Sequence, residues 1–159
     1  MPNFTVKRES WDEVWPDADR LASAHFAEVE GSLALQRPYK VDAAAMKAIA
    51  DAEIMWIWAA RAPSGALLGY CTWNILPDYE SAGLLIALQG AWFVEPSARG
   101  GRVGLALYKQ SLADLKVAGV QNAFPHHRLE GAGKGLGKFF TRLGATEIQH
   151  TYSLWLGDT

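Results

Sequence analysis

Residues 84–104 read LLIALQGAWFVEPSARGGRVG, and the fold turns on how this stretch is understood. Its first half, Leu84 to Val94, is the most apolar run in the chain. It is too short to cross a membrane and has the length and composition of a strand buried on both faces. Gly90 inside it marks a bulge or the close approach of another backbone. The second half is a turn of Pro, Ser, Gly and Arg. A helix follows to about Val117, with Leu105, Tyr108, Leu112 and Leu115 on one face and Gly119 just beyond. A turn from strand to helix presents unpaired N–H groups and the positive end of the helix dipole, which suits an anion. Gly100, Gly101 and Gly104 let a pyrophosphate come close to the backbone, and Arg99 and Arg102 add charge-assisted hydrogen bonds. The alternative is a tight turn that its glycines merely shape.

Working outward, the order is mixed. Phe4 and Val6 alternate in a short strand. Ser10 and Glu13 have capping-box spacing. A helix with Ala18, Leu21, Ala22, His25, Phe26 and Val29 on one face runs to Gly31. Pro16 suits its first turn but would break a helix already running. Asp42 caps a short helix carrying Ala45, Met46 and Ile49. Ile54 to Arg61 and Leu67 to Ile75 form a hairpin about the turn at Pro63 and Gly65, and Pro77 to Gly83 is a polar loop. After the 84–117 unit come a strand from Gln121 to His126, a glycine-rich connector, a helix with Leu136, Phe139, Phe140 and Leu143 on one face, and an alternating strand from Glu147 to Leu156. The expectation is one domain over residues 1–159. Its fold class is α/β (α+β), a sheet with helices covering its faces.

The chain has 159 residues and a net charge of −2, which offers nucleic acid or an anionic membrane no electrostatic footprint. No apolar run reaches the length of a membrane span, and the N-terminus lacks a secretory pattern. The single Cys71 has no partner for a disulfide or a thiolate metal site. The expectation is a cytoplasmic protein without nucleic-acid or membrane partners. The dinucleotide pattern is absent from the turn, and the P-loop pattern is absent from the chain. The run 131–138 has P-loop composition, but its spacing is wrong and Phe139 stands where Ser or Thr is needed.

The turn resembles the acyl-CoA-binding motif of the GCN5-related N-acetyltransferase (GNAT) superfamily, Q/R-x-x-G-x-G/A after a strand ending Val-x-Pro. Arg99 and Gly104 match the outer positions, and Arg102 replaces the middle glycine. Leu143-Gly144-Ala145 resembles the Leu-Gly-Phe that ends the family's last helix. The residues 25–28 (HFAE) and 68–70 (LGY) resemble the small phage-type branch. The resemblance implies a mostly antiparallel mixed sheet, with helices on both faces and two central strands that splay apart around acetyl-CoA. Pantetheine would pair with Trp92, Phe93 and Val94, and the pyrophosphate would rest on Arg99, Gly100, Gly101, Arg102, Val103 and Gly104. The implied reaction moves an acetyl group to an amine by direct attack in a ternary complex. A backbone N–H near Phe93 or Val94 would hold the oxyanion.

An alkylamine arrives protonated, so a proton carrier is needed. Where many relatives place a Tyr, this chain has Phe140, and where many phage-type members place an Asp it has Gly90. The remaining candidates are His126, or its neighbour His127 on the opposite strand face, then Glu28, three residues from His25 on one helix face, and Tyr79 in the loop before the central strand. Each has an ordinary alternative: solvated histidines, a solvated helix face and a packed loop aromatic. His25, His126, His127 and His150 lack metal-ligand spacing, so no metal is expected. A buried core thiol is the expectation for Cys71. The acidic residues Glu9, Asp12, Glu13, Asp17, Asp19, Glu28 and Glu30 point either to a cationic acceptor or to a solvated acidic face. A homodimer is an open expectation. Phe140 and Gly90 also motivate a second reading, a catalytically degenerate acyl-CoA-binding module. An α/β domain binding a nucleotide on the same turn is a third.

Overall fold

A computed structural model describes residues 3–30, 39–127 and 135–149. Among them the order is β1 (Thr5–Glu9), α1 (Trp11–Glu30), α2 (Ala43–Asp51), β2 (Met55–Arg61), β3 (Leu67–Pro77), β4 (Leu85–Val94), one 3-10 turn (Pro96–Ala98), α3 (Val103–Val117), β5 (Asn122–Phe124) and α4 (Leu136–Arg142). The chain divides into two compact units. The first is Met1–Ala22 with Val41–Phe124, and the second is Ser23–Lys40 with Pro125–Thr159.

The first unit holds a five-stranded mixed sheet in the order β1-β2-β3-β4-β5. The first three pairings are antiparallel; β4 and β5 run parallel. Alternation along β2 gives the sheet two buried faces. Met55, Ile57 and Ala59 join Leu67, Tyr70 and Phe93 under Trp11, Val14, Ala18 and Leu21 of α1, with Ala43, Met46 and Ala50 of α2 packed alongside. On the other face the indole of Trp58 donates to Asp114 Oδ2 at 2.7 Å, and that of Trp73 donates to Ser111 Oγ at 3.0 Å. Both acceptors lie on α3. Helices therefore cover both faces of a mixed, mostly antiparallel sheet.

The buried positions of α3 are Val103, Leu107, Tyr108, Ser111 and Leu115. The hydrophobic pattern had put Leu105 and Leu112 on that face, yet Leu105 is exposed. The indoles select Ser111 because a buried N–H needs an acceptor more than a helix face needs another leucine. The capping box forms as expected. Ser10 N–H and Oγ–H both donate to Glu13 Oε2 at 2.8 Å, which holds that carboxyl below its usual range. Pro16 lies inside α1, past the first turn where proline sits most easily, and the helix runs on to Glu30. β5 is three residues long rather than six. Of the expected last strand, residues 147–149 carry no regular structure and the rest lies outside the described residues, as does Gly31.

Arg61 ties the first unit together. Its Nε and one terminal nitrogen donate to the Glu9 carboxylate at 2.9–3.0 Å. The other terminal nitrogen donates to Asp17 Oδ2 at 2.6 Å and to the Gly65 carbonyl at 2.8 Å, and the Glu13 carbonyl takes the remaining donor at 2.9 Å. All five donors of the guanidinium are used, and they join β1, α1 and the β2–β3 turn. The Glu9 side chain is 1% exposed. Removing the cation would leave the buried carboxylate only the Lys7 ammonium at 3.5 Å, so Arg61→Ala is expected to destabilise the protein by about 3 kcal/mol. Urea unfolding followed by tryptophan fluorescence measures this.

Candidate functional site

The site begins where β4 loses a neighbour. β5 pairs with it only at Ile86, Ala87 and Leu88, whereas β3 accompanies it to Val94. From Gln89 onward the β5 side of β4 has no strand partner among the described residues. A strand edge of this kind offers N–H and C=O groups to an extended ligand. The pairing stops because β5 itself ends at Phe124, just before Pro125.

The open edge leads into the glycine–arginine turn. Gly100 has φ +77 and open space around an added Cβ, so the conformation itself calls for glycine. Arg102 occupies the N-cap of α3 without a side-chain cap bond, and the first turn of that helix holds no acidic residue. An arginine at this position adds to the positive potential of the helix N-terminus.

The turn is braced from β4. Arg99 Nε donates to the Val94 carbonyl at 2.9 Å, and its guanidinium carbon lies 5.1 Å from the centre of the Phe93 ring. An added Cβ on Gly104 would lie 3.3 Å from the Trp92 ring and 3.4 Å from Val94 Cγ2, so this glycine lets α3 approach β4. The 92–94 and 99–104 segments thus form one continuous surface. Sequence reading missed three supports of it. Glu95 N–H donates to the Leu68 carbonyl at 2.9 Å. An added Cβ on Gly69 would sit 2.6 Å from the Phe93 carbonyl oxygen, so β3 fits there only with glycine. Arg20 of α1 pairs with Glu95 at 3.0 Å. Of these, only Gly69 left a sequence signal, as a glycine within a strand.

The proton-carrier candidates are divided between the two units. Tyr79 is 88% exposed on the turn closed by Asp78 N–H to the Leu84 carbonyl at 2.9 Å. That turn is at the start of β4, the end opposite the glycine–arginine turn. Glu28 and His126 belong to the second unit, where Glu28 is half-buried and His126 exposed. His127 packs into that unit. Its ring centre is 6.0 Å from that of Phe140, and an added Cβ on Gly137 would lie 2.9 Å from its Nε2. Phe140 is buried and has no hydroxyl to offer. Among the acidic residues, Glu9 and Asp17 hold Arg61, Asp12 holds Lys47 at 2.7 Å and Glu13 caps α1. These four serve structure. Among the described residues no cluster of His, Cys, Asp or Glu has the geometry of a metal site, and no helix is long and apolar enough to cross a membrane.

No family model matches the sequence, and no curated protein matches it. The fold does match solved structures. An aminoglycoside acetyltransferase from an uncultured soil metagenomic sample superposes with a TM-score of 0.75 at 15% identity, over 97% of this chain and 99% of that one. A ribosomal-protein-alanine N-acetyltransferase from Brucella melitensis biovar Abortus 2308 gives 0.74 at 17%, over 98% and 99%. A predicted acetyltransferase from Clostridium acetobutylicum, solved with acetyl-CoA, gives 0.69 at 9%, over 96% of each chain.

Cys71 is fully buried, and desolvation pushes its thiol up to about 12. It stays protonated at pH 8 and is unsuited to carry an acyl group. A thiol reagent at that pH is expected to label it only at the rate of unfolding, and labelling within seconds of mixing would contradict this. The burial also sets a pH trend. Protonation favours the folded state, so this contribution is whole below the ordinary thiol pKa of about 8.5 and is lost as pH rises toward 12. The fold, a mixed five-stranded sheet with helices on both faces, is shared with those solved acetyltransferases.

Proposed function

We propose that the protein is an acyl-CoA-dependent N-acyltransferase, acting as one domain, that moves an acetyl group from acetyl-CoA to a primary amine of a small molecule or peptide. The observation that carries this reading is the parting of β4 from β5 after Leu88, immediately ahead of an uncapped helix N-terminus flanked by Arg99 and Arg102. An extended amide-bearing arm with a pyrophosphate at its end has the shape that such a surface complements.

The residues fit that co-substrate. Gly100 and Gly101 leave room above the turn, and the N–H groups of Val103 and Gly104 lie in the first turn of α3. Trp92, Phe93 and Val94 supply the ladder, and an N–H near Phe93 or Val94 is the proposed donor to the oxyanion. The amine first loses its ammonium proton. Its lone pair then attacks the thioester carbon, the C–S bond breaks, and CoA leaves after taking up a proton. Glu28 and His126 are the proposed carriers of those protons, with Tyr79 third because of its place at the far end of β4. The structural neighbours are named for acceptors as different as aminoglycosides and a ribosomal-protein alanine. That supports an amine acceptor without choosing one. The proposed setting is cytoplasmic.

A second reading, an acyl-CoA-binding module without turnover, draws on Phe140, a buried phenyl ring at the sequence position where many members of the family it resembles carry a Tyr. Turnover that falls on His126→Ala or Glu28→Ala would exclude it.

Calorimetric titration with acetyl-CoA, CoA, ATP and NAD is the direct test. Micromolar binding of acetyl-CoA, without binding of ATP or NAD, is expected. Absence of acetyl-CoA binding would reduce the turn to a structural element. Gly101→Asp sharpens the test. The position has no positive φ, and an added Cβ meets only the Ala98 carbonyl oxygen at 3.8 Å. The variant is therefore expected to fold normally and to bind acetyl-CoA at least tenfold more weakly. Arg99→Ala is expected to cost about 1.5–3 kcal/mol of binding, the range for a hydrogen bond to a charged group.

A further inference from the structure

β3 and β4 lose register at one point, and a single hydroxyl fills the gap. Thr72 faces Ala91, but Trp73 faces Gln89, so Gly90 is an extra residue on β4. At a bulge one ladder bond is disrupted and an N–H must find another acceptor. Here Thr72 Oγ1 accepts from Ala91 N–H at 2.8 Å. The same oxygen explains the glycine. An added Cβ at residue 90 would lie 2.5 Å from Thr72 Oγ1, and turning the hydroxyl aside would give up its bond to Ala91. Thr72 and Gly90 therefore form one device, a side-chain acceptor and the empty volume that admits it.

The position of this device matters. β4 leaves β5 after Leu88, and the bulge falls two residues later, at the start of the open edge. A bulge shifts the alternation of everything beyond it by one residue. It thereby decides which N–H groups of residues 91–94 face β3 and which face the opening. We propose that Thr72 is a positioning residue for acyl transfer, its hydroxyl locking the Gly90 bulge and so fixing the phase in which β4 meets the thioester. This rests on the acyltransferase reading. The glycine–arginine turn is held separately, through Leu68, Gly69 and the bond from Arg99 to Val94. Loss of the Thr72 hydroxyl should therefore affect the chemical step more than the affinity for acetyl-CoA.

The test compares Thr72→Val, which keeps shape and removes the acceptor, with Thr72→Ser, which keeps the acceptor. Turnover of acetyl-CoA with an accepted amine, acetyl-CoA affinity by calorimetry and exchange of the Ala91 amide by NMR are measured on each full-length chain. For Thr72→Val the expectation is a kcat at least tenfold lower, an affinity within about threefold of wild type and an Ala91 amide that exchanges at least tenfold faster. Thr72→Ser is expected to restore kcat and protection to within about twofold. Unchanged kcat and protection in Thr72→Val, with wild-type turnover intact, overturns the proposal and leaves the acyltransferase reading standing. Loss of affinity and kcat together also overturns it, since that marks general disruption. A wild-type chain that binds acetyl-CoA but acetylates no amine fails the acyltransferase reading instead, and the amide exchange then still reports whether Thr72 locks the bulge. If Thr72→Val does not fold, the melting temperatures of Gly90→Ala, Thr72→Ala and the double variant decide. With the hydroxyl gone, the nearest remaining atom is Thr72 Cβ at 3.6 Å, so Gly90→Ala is expected to be costly in the wild type and mild beside Thr72→Ala. Equal costs in the two backgrounds would overturn the proposal.

Discussion

Peptide N–H and C=O groups removed from water need partners, and a strand that parts from its neighbour halfway along leaves half of them to be met by something else. In this protein that strand is β4. Over Ile86 to Leu88 it has β5 on one side and β3 on the other; beyond that, among the described residues, β3 is its strand partner. The surrounding residues hold the half-paired strand in place. Gly69 lets β3 press against Phe93 and Val94, Leu68 takes the N–H of Glu95, and Arg99 folds back onto the Val94 carbonyl. Thr72 supplies the acceptor that the Gly90 bulge removed from the ladder. Each support approaches from β3 or from the turn, and along the other edge no strand pairs with residues 89–94 among the described residues.

That arrangement depends on a sheet that does not yield. The indoles of Trp58 and Trp73 reach across to Asp114 and Ser111 and fix α3, and with it the helix N-terminus, over the sheet. On the opposite face, Arg61 binds the end of β1 to α1 and to the β2–β3 turn. The chemical consequence concerns the acidic first third. Glu9, Asp12, Glu13 and Asp17 are committed to Arg61, Lys47 and the cap of α1. They are therefore poor grounds for expecting a cationic acceptor.

Much of this was legible before any coordinates. The apolar run ending in Val94, the glycine–arginine turn and the capping box at Ser10 and Glu13 are local, and local patterns carry their own physics. Three features were not legible. The buried face of α3 holds Ser111 beside Leu107 and Leu115, because Ser111 is chosen by Trp73, 38 residues earlier in sequence. Thr72 gave no sign of a role, since its meaning depends on Gly90 across the ladder. Cys71 could be read as buried, but the size of the burial effect on its thiol required the packed core around it.

The sequence by itself determined the order of elements from β1 to α4 and the place of the turn, because periodicity, capping and glycine content act within a few residues of themselves. It also determined that Phe140 carries no proton, since that is a property of the side chain alone. Only the tertiary structure decided where the pairing of β4 with β5 ends, that Gly90 is a bulge rather than only a close approach of another backbone, and that Gly69 and Gly104 lack side chains so that β3 and α3 can approach β4. These depend on register between segments far apart in the chain. Register is set by the sum of side-chain contacts across the sheet, a quantity that no single stretch of sequence contains.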